Sequence, residues 1–182
     1  MRRALCLAAA LGLLLAAGRS PARAQSLEDE IKAAFLYNFA KFVEWPPDAF
    51  ASPDEPITFC LVGRDPFGRV LDDLLAGEHV RHRRLAVRRV ERAGRLDGCH
   101  ILFVSPTEKG RFAALLRGID TQRVLTVSDS LEFLAAGGHV SFFVEGSRVR
   151  FAVNQEACER AEFRMSSKLM QVARRPASAP RQ

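Results

Sequence analysis

The spacing of apolar positions along the chain changes several times, and each change marks an element. From Ile31 to Pro47 the run I-K-A-A-F-L-Y-N-F-A-K-F-V-E-W-P-P holds four aromatic residues besides the only Trp. At about 100° per residue, Ile31, Phe35, Leu36, Phe39, Phe42 and Val43 share one arc, and Tyr37, Asn38, Lys41, Glu44 and Trp45 share the opposite one. The pattern predicts a two-faced helix. Ser26 with Asp29 three residues on has the spacing of a capping box, and Pro46-Pro47 ends the run because proline cannot continue the helical hydrogen bonding. Lys32 falls in the middle of the apolar arc. Its stem can lie along that face while its ammonium reaches the helix edge; without that exit it needs a buried carboxylate.

Period 3.6 then gives way to short, almost wholly apolar runs. Ile57 to Val62, His100 to Val104 and Val124 to Val127 read as strands buried on both faces, and Leu85 to Val90 as a further strand. Between them, Asp65-Pro66 opens a helix that reaches Leu75 and stops at Gly77. Ser105-Pro106 with Glu108 opens a second that closes at Gly118, and Asp129 with Glu132 caps a third that ends at Gly137-Gly138. From Val140 to Val153 two strands flank Glu145-Gly146-Ser147-Arg148, a hairpin turn signal. Gln155 to Val172 reads as two short helices separated near Met165, with Ser166 or Ser167 as cap. The alternation predicts a single α/β domain: a mostly parallel sheet of about six strands, covered by helices on both faces, with an antiparallel hairpin at one end. The edge of such a sheet leaves room for a homodimer.

Composition alters this picture at the N-terminus. Arg2 and Arg3 precede an apolar run from Ala4 to Ala17 and a small-residue site at Ala22-Arg23-Ala24, the pattern of a secretory signal peptide over residues 1–24, cleaved after Ala24. Those residues carry four arginines and no acid, so the formal net charge of +6 falls to +2 on their removal. A mildly basic exported domain, 25–174, argues against nucleic-acid binding. No later stretch approaches the roughly 18 apolar residues of a membrane span. Residues 175–182 read as a disordered tail.

Candidate chemistry is sparse. The remaining cysteines are Cys60, Cys99 and Cys158, an odd number, and the histidines, at 79, 82, 100 and 139, show no metal-ligand spacing. Gly63 to Gly68 follows a strand but is neither G-x-G-x-x-G nor a G-K-[ST] loop, and Pro66 removes a phosphate-binding N–H. A C-x-x-C pair and a G-x-S-x-G elbow are both missing from the sequence. No catalytic, cofactor or metal residues are assigned.

The ordered motifs carry a resemblance. Ile31 to Phe39 with Phe42-Val43-Glu44-Trp45-Pro46, Cys60-Leu61-Val62-Gly63, Asp65-Pro66-Phe67-Gly68, Cys99-His100-Ile101-Leu102-Phe103, Val124 to Asp129 and Ser166-Ser167-Lys168-Leu169 together resemble the YfiR family. The resemblance implies a small periplasmic α/β protein, not an enzyme. It would bind the periplasmic domain of an inner-membrane diguanylate cyclase and hold it inactive, restraining cyclic-di-GMP signalling and biofilm growth. A rival reading, prompted by relatives in other signalling contexts, is a solute-sensing module that feeds a membrane sensor such as a histidine kinase, using the crevice at the strand ends.

Cys60 and Cys99 begin to look like a pair in this setting. A doubly wound order that places the first strand beside the third brings them near each other, and the resemblance points to the same disulfide; two buried thiols are the alternative. The second disulfide of some relatives has only Cys158 available here, which predicts a free thiol. On the polar arc, Tyr37, Asn38, Lys41, Glu44 and Trp45 are candidate partner-binding residues, against the alternative that Trp45 locks the helix end by burial. Seven arginines between Arg81 and Arg95 fit a solvated, protected edge strand, or else a surface that docks an acidic partner or anionic headgroups.

Overall fold

A computed structural model describes residues 21–91 and 96–175. The expected signal peptide lies outside them except for 21–24, as do Arg92, Arg95 and the tail beyond 175. Helix α1 (Pro21–Phe42) is followed by strand β1 (Val43–Glu44), β2 (Ile57–Val62), α2 (Arg69–Leu75), β3 (His79–Val80) and β4 (Arg83–Val90). Then come β5 (Ile101–Val104), α3 (Phe112–Arg117), β6 (Leu125–Ser128), α4 (Glu132–Ala135), β7 (Val140–Glu145) and β8 (Arg148–Val153). Helix α5 (Gln155–Arg160), β9 (Arg164–Met165) and α6 (Ser167–Val172) complete the chain.

The sheet has seven strands in the order β3-β4-β2-β5-β6-β7-β8, one more than the roughly six expected. The five central strands are parallel, and β3 and β8 are antiparallel edges. The extra strand is β3, two residues long and too short to show a period. Side chains alternate across a strand, so neighbouring residues enter different cores. Phe59, Leu61, Ile101, Phe103, Leu125 and Phe142 pack with Leu36 and Phe39 of α1 and Leu71 of α2. Cys60, Val62, Leu102 and Val104 pack instead with Phe112, Leu115 and Leu116 of α3 and Phe133 of α4.

Several helix starts differ from their sequence signals. Helix α1 already begins at Pro21, so Ser26 lies inside it rather than capping it. Asp65 does not open α2: its Oδ1 accepts hydrogen bonds from the Phe67 and Gly68 N–H groups in a turn, and the helix begins at Arg69. Nor does Asp129 cap α4, because its carboxylate is drawn to Lys32. By contrast Ser105 accepts from the Thr107 N–H and opens a 3-10 turn, Pro106–Arg111, which runs into α3, and Ser166 caps α6 through the Leu169 N–H.

Two histidines complete the N-terminal ends of parallel strands. His139 Nδ1 accepts from the Thr126 N–H at 3.0 Å while its own N–H donates to Thr126 Oγ1 at 3.1 Å. One register away in the sheet, His100 Nδ1 accepts from the Thr58 N–H at 3.2 Å, and the His100 N–H donates to the Thr58 carbonyl. An acceptor Nδ1 requires the neutral ring. Burial holds both rings below the usual histidine range, His139 at about 4, with the Arg160 charge adding to the effect at His139.

Candidate functional site

The candidate helical arc does not survive as one surface, because α1 stops at Phe42. There the Ser166 N–H donates to the Phe42 carbonyl at 2.9 Å, and β1 pairs antiparallel with β9, Val43 opposite Met165 and Glu44 opposite Arg164. Glu44 and Trp45 therefore project from an extended segment rather than from a helix face. Within α1 the buried stripe is Asp29, Lys32, Ala33, Leu36, Phe39 and Ala40, whereas Ile31 is exposed.

Of the five candidate residues, Tyr37 is half-buried and donates its hydroxyl to Glu78 Oε2 at 2.6 Å. Asn38 is half-buried on α1. Trp45 turns inward: its Nε1–H reaches the His100 carbonyl at 3.3 Å, and its ring meets Phe50 and Phe163 edge-on. Lys41 and Glu44 remain exposed. They line a cleft of about 250 Å³ together with Phe42, Arg81, Arg164 and Met165, where Arg81 reaches Glu44 at 3.2 Å. Lys41 also lies 5.0 Å over the Tyr37 ring.

Arg81 enters this cleft from an unusual backbone. With His82 it forms the two-residue turn between β3 and β4, at φ 50° and 70°. Tight turns of this kind favour glycine, asparagine or aspartate at both positions, and a larger side chain there costs on the order of 1 kcal/mol.

Lys32 is fully buried, which corrects the expectation that its ammonium reaches the helix edge. Its Nζ pairs with Glu28 one turn back and with Asp129, just beyond the C-terminal end of β6, at 2.5 Å. Burial alone would push the ammonium down, but the two carboxylates outweigh it and hold Lys32 above its usual range. Asp129 is pushed up by burial and by the Glu28 charge, against the pull of Lys32. The triad ties α1 to the sheet.

The crevice where open parallel sheets bind ligands lies beyond the C-terminal ends of β2 and β5, at which the chain reverses its direction of travel across the sheet. There the loops that follow β2 and β5 close on each other at Gly63. A Cβ at Gly63, whose φ is 82°, would fall 2.8 Å from Thr107 Oγ1 and 2.9 Å from Ser105 Cβ, and the Arg64 N–H donates to Thr107 Oγ1 at 3.3 Å. Among the described residues no group of three or more His, Cys, Asp or Glu is placed to hold a metal ion.

Cys60 and Cys99 form a disulfide with Cα atoms 5.8 Å apart, joining β2 to the segment before β5, while Cys158 is a buried free thiol pushed up to about 12 by burial and by Glu159. The model for the YfiR/HmsC-like family matches residues 29–174. The chain belongs to the YfiR/HmsC-like family. Members are non-catalytic regulators of the periplasm. No curated protein matches the sequence. Among the described residues no helix is long and apolar enough to cross a membrane.

Within this family frame, the arginine cluster lies along the solvated edge expected of it, with Arg84, Arg88 and Arg89 exposed, and several of its arginines also hold contacts within the domain. The edge strand is β3, and it covers only the first two residues of β4. Arg83 donates to the Ser52 and Glu55 carbonyls and lies 3.7 Å over the Phe50 ring. Arg88 Nη2 donates to the Asp97 carbonyl at 2.6 Å and sits 2.9 Å from Cys99 Sγ, over the disulfide. On the opposite face Arg89 grips Asp72 with two nitrogens and Asp65 with a third, and its hydrogen bonds hold the Asp72 carboxyl below the usual range. These arginines are structural clamps. Among the described arginines of the cluster it is Arg81 that lines the cleft, and Arg164 joins it because β9 pairs with β1.

Proposed function

We propose that this protein is a periplasmic repressor that binds the periplasmic domain of an inner-membrane diguanylate cyclase and holds the enzyme inactive, lowering cyclic-di-GMP output and restraining biofilm growth. The observation that carries the reading is the YfiR/HmsC-like match across residues 29–174. The close approach of the loops after β2 and β5 at Gly63 supports contact with a protein over capture of a solute at that site. The partner-facing surface is centred on Lys41 and Glu44, the two candidate residues that are exposed. Tyr37 and Asn38 flank it, and Trp45 acts by fixing the segment that presents it. Export through the signal peptide over residues 1–24 brings the protein to the compartment of that partner. The test is copurification of the mature protein with the periplasmic domain of the membrane cyclase from the same organism. A stoichiometric complex is expected; no complex, with a small molecule retained through purification, would favour solute sensing.

A further inference from the structure

The cleft beside α1 has a chemical bias that specifies its occupant. Lys41, Arg81 and Arg164 line it with one carboxylate, Glu44, which Arg81 already engages at 3.2 Å. Glu44 also stands directly opposite Arg164 in the β1–β9 pair. Two positive charges are left over at neutral pH. Between them Phe42 and Met165 contribute half-buried apolar surface. A rim of cations around such a patch complements a segment that carries acidic side chains and one apolar side chain. Charged rims steer association, while the apolar contact supplies the anchor.

A second observation comes from the backbone. Arg81 and His82 hold left-handed conformations that glycine or asparagine adopts more cheaply, in a turn whose only task in the fold is to reverse the chain between β3 and β4. The exposed Arg81–Glu44 pair does not offset that cost, because ion pairs of this kind contribute little to stability. Strain kept without a structural return accompanies function. Of Arg81 and His82, it is Arg81 whose side chain lines the cleft.

We infer that the cleft formed by Lys41, Arg81 and Arg164 over Phe42 and Met165 docks an acidic polypeptide segment of the partner, one apolar side chain seated between the cations. This deepens the proposed repressor function and rests on it for the identity of the partner. A lipid headgroup is a poorer fit, since the cations surround a recess that also presents Phe42 and Met165, which suits a side chain better than a flat charged interface.

The experiment follows backbone amide NMR shifts of the mature protein on adding two probes separately: the cyclase's periplasmic domain, and a synthetic peptide of alternating glutamate and leucine. Both probes should shift residues 41–44, 81–82 and 164–166. Arg164→Glu and Lys41→Glu should each weaken binding about tenfold, equivalent to about 1.4 kcal/mol, and Arg148→Glu on the far edge strand should not. Arg81→Gly should bind more weakly while melting no lower than the parent, an outcome that a merely structural arginine would not give. Cyclase binding that shifts other surfaces and ignores these substitutions would overturn the inference and leave the repressor reading intact. Peptide shifts in the cleft with no cyclase binding would keep the inference and remove that partner. No binding of either probe, or charge-sensitive binding only to phosphatidylglycerol vesicles, would overturn both.

Discussion

Replacing Lys32 by Met tests whether α1 is held to the sheet by a buried charge. The substitution keeps the aliphatic stem, so it opens little cavity, but it leaves Glu28 and Asp129 without their shared cation. Removing one partner of a buried ion pair costs about 3–5 kcal/mol. Here the two carboxylates remain 29% and 26% exposed, which lets water solvate them and places the loss near the lower end, about 3 kcal/mol at pH 7. At a urea m-value of about 2 kcal/mol/M the unfolding midpoint then falls by about 1.5 M. The pH dependence follows from Asp129, which burial already pushes up. Without Lys32 nothing opposes that push, so the folded variant holds a proton more tightly than the unfolded chain. The Asp129 contribution to its stability is then full at low pH and is lost as pH rises through the folded pKa, so the deficit relative to the parent shrinks toward about pH 4. Urea titrations of both proteins at pH 4.5 and 7 supply the measurement. A variant as stable as the parent at pH 7, or a deficit equal at both pH values, would refute the reasoning.

Four further outcomes are expected. The Cys60–Cys99 bridge closes a loop across a separation of 39 residues, so replacing both cysteines by Ala lowers the unfolding free energy by about 4 kcal/mol in denaturant titration. Denatured, unreduced mature protein, without Cys6, titrates one thiol, Cys158; three would contradict the bridge. Gly63→Ala costs about 2–3 kcal/mol by the same titration, since the new Cβ meets Thr107 and Ser105 at a φ of 82°. His139 binds a proton less readily folded, at about 4, than unfolded, so its contribution is full above about pH 6.5 and falls away as pH drops from there toward 4, by up to about 3 kcal/mol. His139→Asn should flatten that acid limb of the stability profile.

The central strands were legible because short, almost wholly apolar runs such as Ile57 to Val62 are rich in β-branched residues and bounded by turn signals such as Gly63, and the β7–β8 hairpin because Gly146-Ser147 interrupts an alternating pattern. The end of α1 was not. Pro46 has no N–H to offer the Phe42 carbonyl and so signals a stop, but Val43 and Glu44 continue the helical spacing, and their extended course depends on the pairing with β9, where the Ser166 N–H, more than a hundred residues away, takes up that carbonyl. The same non-local pairing brings Arg164 into the cleft. Lys32 signalled its own anomaly but not its solution, since Asp129 lies 97 residues on and carries a local capping pattern that competes with its real partner. Trp45 shows the limit of a helical projection: once the segment is extended, its ring belongs to the core rim beside Phe50 and Phe163. Sequence alone assembled the arginines of β4 into one patch, whereas strand alternation sends Arg88 to the disulfide and Arg89 to Asp72 on the other face.

Regulation of the cyclase itself is the most direct test. Full-length membrane cyclase from the same organism, reconstituted in vesicles with its periplasmic domain facing outward, is assayed for cyclic-di-GMP production while the mature protein is added from outside. The account predicts a saturable fall in output that Lys41→Glu and Arg164→Glu shift to higher protein concentration. Output unchanged at saturating protein, with no detectable complex, would contradict it.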